Sequence, residues 1–336
     1  MGCGRSGERR PLYNIMGKII YKRKDDLILN KRRKVKRAFE RGIRENYQLY
    51  ILLLPAITAT VVFCYLPIYG IQLAFREYRI GQSITSGAFV GLRYFTRFFN
   101  NAWCLPVIRN TVILSALTRI IEWPAPIILA LLLHNCFSRK IRKFSQSATY
   151  IPYLISTVVV VSMMKILLAR DTGIANILIR NFGGTEIDFF GLENLVFPMY
   201  VISEIWQGAG YGAVIYLAAL SAIDPQLSEA AITDGATKLQ RIFHIDIPCI
   251  EPTIITMLIL RCGRMFQMGP DKILLMQTPL NLGASEIIST YIYKTGIVDM
   301  QYGFSTAIGL LNNAINFLIL IGINQLSKKY TDTYII

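Results

Sequence analysis

Charge is scarce in this 336-residue chain: Asp, Glu, Lys and Arg together make up 17% of it, against roughly 25% in globular domains. That deficit argues against a soluble protein of two or three domains, which the length alone would allow. Histidine is nearly absent; His134 and His244 stand alone near the ends of apolar runs, and neither is assigned a role. The six cysteines (Cys3, Cys64, Cys104, Cys136, Cys249, Cys262) are scattered and show no CxxC spacing, so they support neither a disulfide framework nor a metal site. No GxxxxGK[ST] phosphate loop occurs, so nucleotide hydrolysis by this chain alone is not expected. A secretory signal is not expected either, because a basic stretch of more than forty residues precedes the first apolar run. Internal repeats and low-complexity segments are also missing.

What the chain has in excess is apolar length. Hydrophobic residues make up 53% and the mean hydropathy is +0.41. Leu49–Phe75 and Phe304–Leu326 contain no Asp, Glu, Lys or Arg, and each exceeds the roughly 20 residues that cross a hydrocarbon core of about 30 Å. Four further segments qualify with one or two charges each. The reading is an all-α integral membrane protein of six transmembrane helices, at about 49–75, 110–133, 148–168, 195–222, 250–269 and 304–326. Residues 1–46 form a basic N-terminal segment, 47–327 the six-span domain and 328–336 a tail.

The net charge of +15 is unevenly placed. Residues 1–46 hold 15 Lys/Arg and 5 Asp/Glu, and include the run Lys31-Arg32-Arg33-Lys34-Val35-Lys36-Arg37. Such a run beside a span reads as a positive-inside flank against anionic lipid, not as a nucleic-acid site. Val35, Phe39 and Ile43 give the segment a weakly amphipathic stretch suited to the inner leaflet. Met1-Gly2-Cys3-Gly4-Arg5-Ser6 fits a myristoylation pattern formally, but an anchor adds nothing to six spans. With the N-terminus inside, Arg139, Lys140, Arg142 and Lys143, then Lys238 and Arg241, then Lys328 and Lys329, all fall on the cytoplasmic side. Both termini are therefore expected to be cytoplasmic. The loops carrying Asp171, Glu186, Asp188 and Glu193, and Asp271, Glu286 and Asp299, fall outside. A short helix is expected around Ser285–Lys294.

The cytoplasmic loop after the fourth span, 223–248, differs in kind. Pro225 opens a helix where its missing N–H costs nothing, Glu229, Ala230 and Ala231 follow, and Gly235 permits a left-handed stop. A second short helix is expected to run to Pro248, where the chain re-enters the membrane. Small alanines allow close approach by a partner, and Glu229 offers a charged contact.

This loop resembles the signature of permease subunits of binding-protein-dependent ABC importers: Glu-Ala-Ala, three residues, Gly, nine residues, Ile-x-Leu-Pro. Here it reads Glu229-Ala230-Ala231, Gly235 and Ile245-Asp246-Ile247-Pro248, with Ile247 in place of Leu as the one departure. The resemblance extends to the maltose-permease-like, polysaccharide branch through Tyr47–Pro55, Tyr65–Gly70, Pro124–Leu133 and Ser285–Tyr293. It implies the type I importer permease fold, with Glu229, Ala230, Ala231, Gly235, Ile245 and Pro248 seated as a coupling helix in a cleft of an ATPase subunit. It also implies a second homologous permease, two ATPase subunits that use ATP and Mg, and an extracellular solute-binding lipoprotein. The cargo would be an oligosaccharide or polysaccharide fragment, and the location the bacterial plasma membrane. No cofactor is expected on this chain itself.

Ionisable residues inside spans are functional candidates because burying charge in lipid is costly. Glu204, Gln207, Gly208 and Tyr211 share one helical face, with Trp206 nearby. Arg261, Arg264, Met265 and Met268 mark the next span. The family's sugar contacts lie at these two places. Arg261, Arg264 and Glu204 either line the cavity or pair with the second permease; if Arg261, Arg264 and Lys165 all line it, acidic sugars would be favoured. Arg119 and Glu122, three apart, read as a self-neutralising pair. Lys165 reads as a snorkelling side chain, and Asn312, Asn313 and Asn316 as helix glue. Competing readings are a same-superfamily permease for phosphate, an amino acid or a peptide, a membrane enzyme acting on lipid-linked glycans, and an ATP-independent channel.

Overall fold

The computed structural model describes residues 46–136, 138–262 and 268–330. The basic segment up to residue 45, the candidate residues Arg264 and Met265, and residues 331–336 lie outside the described residues, as do the side chains of Lys328 and Lys329. The chain divides into two compact units, Met1–Gly70 and Ile71–Ile336.

In the first unit α1 spans Tyr47–Thr60 and runs into a π-turn at Val61–Tyr65. Pro67 follows two residues later. A proline has no N–H to donate and crowds the carbonyl four residues back; widening the preceding turn to i→i+5 relieves both. The same arrangement recurs in the second unit, where the π-turn Ile242–Asp246 precedes Pro248.

In the second unit α2 spans Arg93–Phe99, α3 Cys104–Glu122 and α4 Pro124–His134. Trp123 keeps helical angles (φ −61°, ψ −44°), so α3 and α4 form one rod. Next come α5 (Arg139–Leu154), α6 (Thr157–Leu167), α7 (Ile174–Asn181) and the 29-residue α8 (Glu193–Ser221). Then follow α9 (Pro225–Thr233), α10 (Lys238–Arg241), α11 (Ile247–Cys262), α12 (Asp271–Met276), α13 (Leu282–Ser285), α14 (Ile288–Tyr293) and α15 (Tyr302–Tyr330). The short helix expected near Ser285–Lys294 is α14 with the π-turn that continues it.

Among the described residues, four helices are long and apolar enough to cross a membrane: Tyr47–Phe75, Cys104–His134, Lys238–Arg261 and Tyr302–Gly322. The expected third span, 148–168, is instead a pair of helices bent by 98°. Ile155 and Ser156 are extended between them, and the Ser156 hydroxyl restarts the chain as α6 by accepting from Val159 N. The expected fourth span is α8. At about 1.5 Å per residue it is long enough, but Glu204, Gln207 and three glycines dilute its apolar character below that of the other four. The expected fifth span, 250–269, corresponds to α11 as far as Cys262, with residues 263–267 outside the described residues.

α8 is the central post. Val196, Met199, Tyr200 and Val201 pack with Leu114, Ile273 and Met276, while Ala213, Tyr216 and Leu220 pack with Ala130 and Ile250. Close approach depends on glycine: a Cβ at Gly210 would lie 1.9 Å from the Thr149 carbonyl oxygen, and one at Gly212 3.0 Å from Pro126. Small residues at crossings are how membrane helices gain contact without a hydrophobic drive. A third cluster, Phe98, Val107, Phe304 and Ile308, ties α2 and α3 to α15. Asn316 is buried, and its amide donates to the Asn312 carbonyl one turn back in α15.

Candidate functional site

The signature loop is built from local rules. Asp224 caps α9 by accepting from Gln226 N at 3.0 Å, with Pro225 in the first turn. The helix stops at Gly235, whose φ of +81° suits glycine. Gly235 N–H donates to the Ile232 carbonyl at 3.0 Å and Ala236 N–H to that of Ala231 at 2.9 Å. These two bonds make a Schellman stop, which accounts for the glycine of the signature. Thr237 and Gln240 then form a capping box for α10. Arg241 donates to Ser228 Oγ at 2.8 Å, clamping the two helices together.

Glu229 and Ala230 are exposed, and Ala231 and Ile245 half-buried. Asp234, Gly235, Gln240, Arg241 and His244 line an open hollow of about 340 Å³ on the same element. The second helix does not end at Pro248, contrary to expectation. It continues through the π-turn into α11 as one helical run, Lys238–Arg261. The carboxylate of Asp246 is buried in that turn and accepts from Asn135 Nδ2 at 3.0 Å, beside α4. Sequence reasoning passed over Asp246 because it fills the variable position of the signature; an acidic residue at a membrane re-entry was the available signal.

The residues expected on one polar face of α8 part company. Glu204 pairs with Lys272 Nζ at 2.6 Å, and the same ammonium donates to Gln207 Oε1 at 3.0 Å. Gln207 Nε2 in turn donates to the Ile155 carbonyl at 2.8 Å, satisfying the break between α5 and α6. Gly208 leaves room for Glu122, whose Oε1 would lie 3.7 Å from an added Cβ. Tyr211 stacks on Tyr153 with ring centroids 4.1 Å apart and planes within 5°. Trp206 points elsewhere, into an apolar hollow of about 400 Å³ with Val160, Met164 and Met199.

Arg261 pairs within this chain: its guanidinium lies 3.3 Å from Glu122 Oε1, while Arg119 lies 3.9 Å from Oε2. The expected Arg119–Glu122 pair is therefore the edge of a triad. Met268 lies beyond the described end of α11 and is buried, with Ser115 donating to its sulfur at 3.1 Å. Lys165 is exposed on the last turn of α6. Lys272 was missed because it sits in a stretch assigned to an outer loop. A lysine at 5% side-chain exposure needs the partners the fold supplies.

Chemically, the site offers paired charges, amides and stacked rings, groups suited to hydrogen bonding and stacking with a polar ligand. Among the described residues no cluster of His, Cys, Asp and Glu fits a metal ion.

A family model described as the binding-protein-dependent transport system inner membrane component matches residues 123–332. The chain is 38% identical over 305 residues to the polygalacturonan/rhamnogalacturonan transport system permease protein YteP of Bacillus subtilis (strain 168), across 91% of this chain and 95% of that one. It is 36% identical to protein LplB of the same organism, over 86% and 91% of the two chains. Among solved structures, a bacterial alginate ABC transporter in complex with an alginate pentasaccharide-bound periplasmic protein superposes with a TM-score of 0.80. Identity there is 34%, covering 88% of this chain and 99% of the other. The signature, the helical architecture and these matches agree: this chain belongs to the family of inner-membrane permease components of binding-protein-dependent ABC transport systems.

Proposed function

We propose that this chain forms half of the translocation path of an ABC importer for oligosaccharide fragments of a polysaccharide, and couples that path to ATP hydrolysis by partner subunits. The observation that carries the coupling role is the Glu229–Pro248 element. It is an exposed, doubly capped helix pair whose second helix runs without a break into α11, the helix that bears Arg261. A push on Glu229 or Ala230 thus has a rigid route toward the polar cluster.

In this reading the chain crosses the membrane six times with both termini cytoplasmic, α8 and the bent α5–α6 pair supplying the two crossings beyond the four long apolar helices. A second permease, two ATPase subunits and an extracellular solute-binding lipoprotein complete the machine, and the ATP and Mg belong to the ATPase subunits. Tyr211 with Tyr153 offers a flat platform for a sugar face, and Gln207, Glu204 and Arg261 hydroxyl-binding groups. Arg264, Met265 and Met268 continue the expected lining. The cargo class rests on the relatives, which carry polygalacturonan/rhamnogalacturonan and alginate in their names.

Co-purification and transport test it. Wild-type chain co-expressed with its partners should retain the ATPase subunits and import oligogalacturonides into proteoliposomes. Glu229→Lys should lose both ATPase retention and uptake; undiminished assembly and uptake would refute the coupling role.

A further inference from the structure

We propose that a hollow of about 250 Å³ between α3, α8 and the start of α12 is a subsite for a single sugar ring, read by its hydroxyl groups and not by its charge. The inference rests on the oligosaccharide reading above and assigns it residues that the signature does not contain. The polar walls include Thr118, Arg119, Glu122, Glu204 and Lys272, with Thr157, Tyr200 and the further carboxylate of Asp271 beside them.

Two of these groups are left unmet. Thr118 is 3% exposed and its hydroxyl has no partner. A helical threonine ordinarily bonds the carbonyl four residues back, as Thr111 does to Val107 at 2.7 Å in the same helix. Arg119 uses its terminal nitrogen toward Glu122, yet its Nε is buried and unpartnered. Unmet buried donors are uncommon in a finished core, and two adjacent ones at the wall of one hollow mark a place that a ligand completes.

The charges decide which ligand. Lys272 is held by Glu204, and Glu122 by Arg119 and Arg261. Every cation at the wall already has an anion beside it, so a second carboxylate from the cargo would meet Glu122 and Glu204 as like charges. An apolar ligand would leave the donors stranded. A sugar hydroxyl both donates and accepts, so a ring can take hydrogen bonds from Thr118 and Arg119 while giving its own to the carboxylates. The volume falls just below the range of drug-sized pockets, which suits one ring and not a chain. An acid group on the cargo then projects away from this hollow.

The test uses the full complex in proteoliposomes and its ATPase stimulation by the loaded binding protein. The probes are an oligogalacturonide and the same oligosaccharide with its carboxyls reduced to alcohols. Thr118→Val removes the hydroxyl at constant shape and should raise the half-saturating sugar concentration about three- to tenfold, the range of one neutral hydrogen bond. Thr118→Ser should restore it to within about twofold. Arg119→Lys, which keeps the charge and loses Nε, should shift it in the same direction. The shift should be equal for both probes. Unchanged half-saturation in Thr118→Val and Arg119→Lys overturns the subsite, and a shift confined to the acidic probe overturns the hydroxyl reading. If neither probe stimulates the wild-type complex, the cargo assignment falls and takes the subsite with it.

Discussion

Asn135 and Asp246, 111 residues apart, meet at 3.0 Å where the end of α4 faces the π-turn of the signature element. This contact fastens the signature helices to the rod that carries Arg119 and Glu122. Asp246→Leu should loosen that attachment and cost about 1.5–3 kcal/mol, the worth of a hydrogen bond to a charged group. Asp246→Asn, whose amide oxygen accepts the same bond, should cost less. Thermal unfolding of the purified complex ranks the two, and equal midpoints would argue against the contact.

Glu122 holds two guanidiniums, so its removal should cost more than the loss of one ordinary pair. Glu122→Gln leaves Arg119 and Arg261 facing each other, each only about a quarter exposed. A loss of about 3–5 kcal/mol is expected for an uncompensated buried charge. The double variant Glu122→Gln with Arg261→Met should recover part of it, and a double-mutant cycle on the unfolding midpoint measures the coupling.

Lys272 and Lys165 make a paired test of which lysine the fold depends on. Lys272→Met strands the Glu204 carboxylate and the Gln207 amide oxygen, so detergent-solubilised protein should unfold at a clearly lower temperature. Lys165→Met, at an exposed site, should stay within about 0.5 kcal/mol of wild type. Equal effects would contradict the assignment.

Glycine positions should divide sharply. Gly210→Ala drives a Cβ into the Thr149 carbonyl and should prevent α5 and α8 from packing, seen as loss of folded protein on size-exclusion chromatography. Gly322→Ala meets open space and should be neutral or stabilising by up to about 1 kcal/mol.

At Gly235 the backbone sits at φ +81° with room around it, so strain and not crowding decides the outcome. Gly235→Ala should cost about 1–2 kcal/mol of local order, with Gly235→Asn milder, because asparagine tolerates this region better. Uptake per ATP hydrolysed, compared across the two, reads how far the stop of α9 matters to coupling.

Much of this was legible in the residues. Of the six spans the apolar runs foretold, four stand as long apolar helices among the described residues, because hydropathy is a sum over neighbours in sequence. Pro225 and Gly235 foretold the helix pair, because starts and stops are closed by groups within five residues; the Asp224 cap and the Thr237–Gln240 box are equally local, but only the structure brought them out. The bend between α5 and α6 was hidden. A run such as Ala148–Leu168 satisfies the length rule whether straight or folded back, and only the Gln207 amide waiting at Ile155 makes the break tolerable. The end of the second signature helix was misplaced for a related reason, since Pro248 stops an α-helix but not one loosened by a π-turn.

By itself the sequence determined that this is a membrane protein carrying the permease signature, since both features are written in local spacing and composition. Which charges meet was decided only by the tertiary structure. Arg261 finds Glu122 across 139 residues and Lys272 finds Gln207 across 65, because the glycines of α8 let helices close to within reach of one another. In a low-dielectric interior each ionised group must have a partner. The sequence shows that such partners are needed, and the helix crossings choose them.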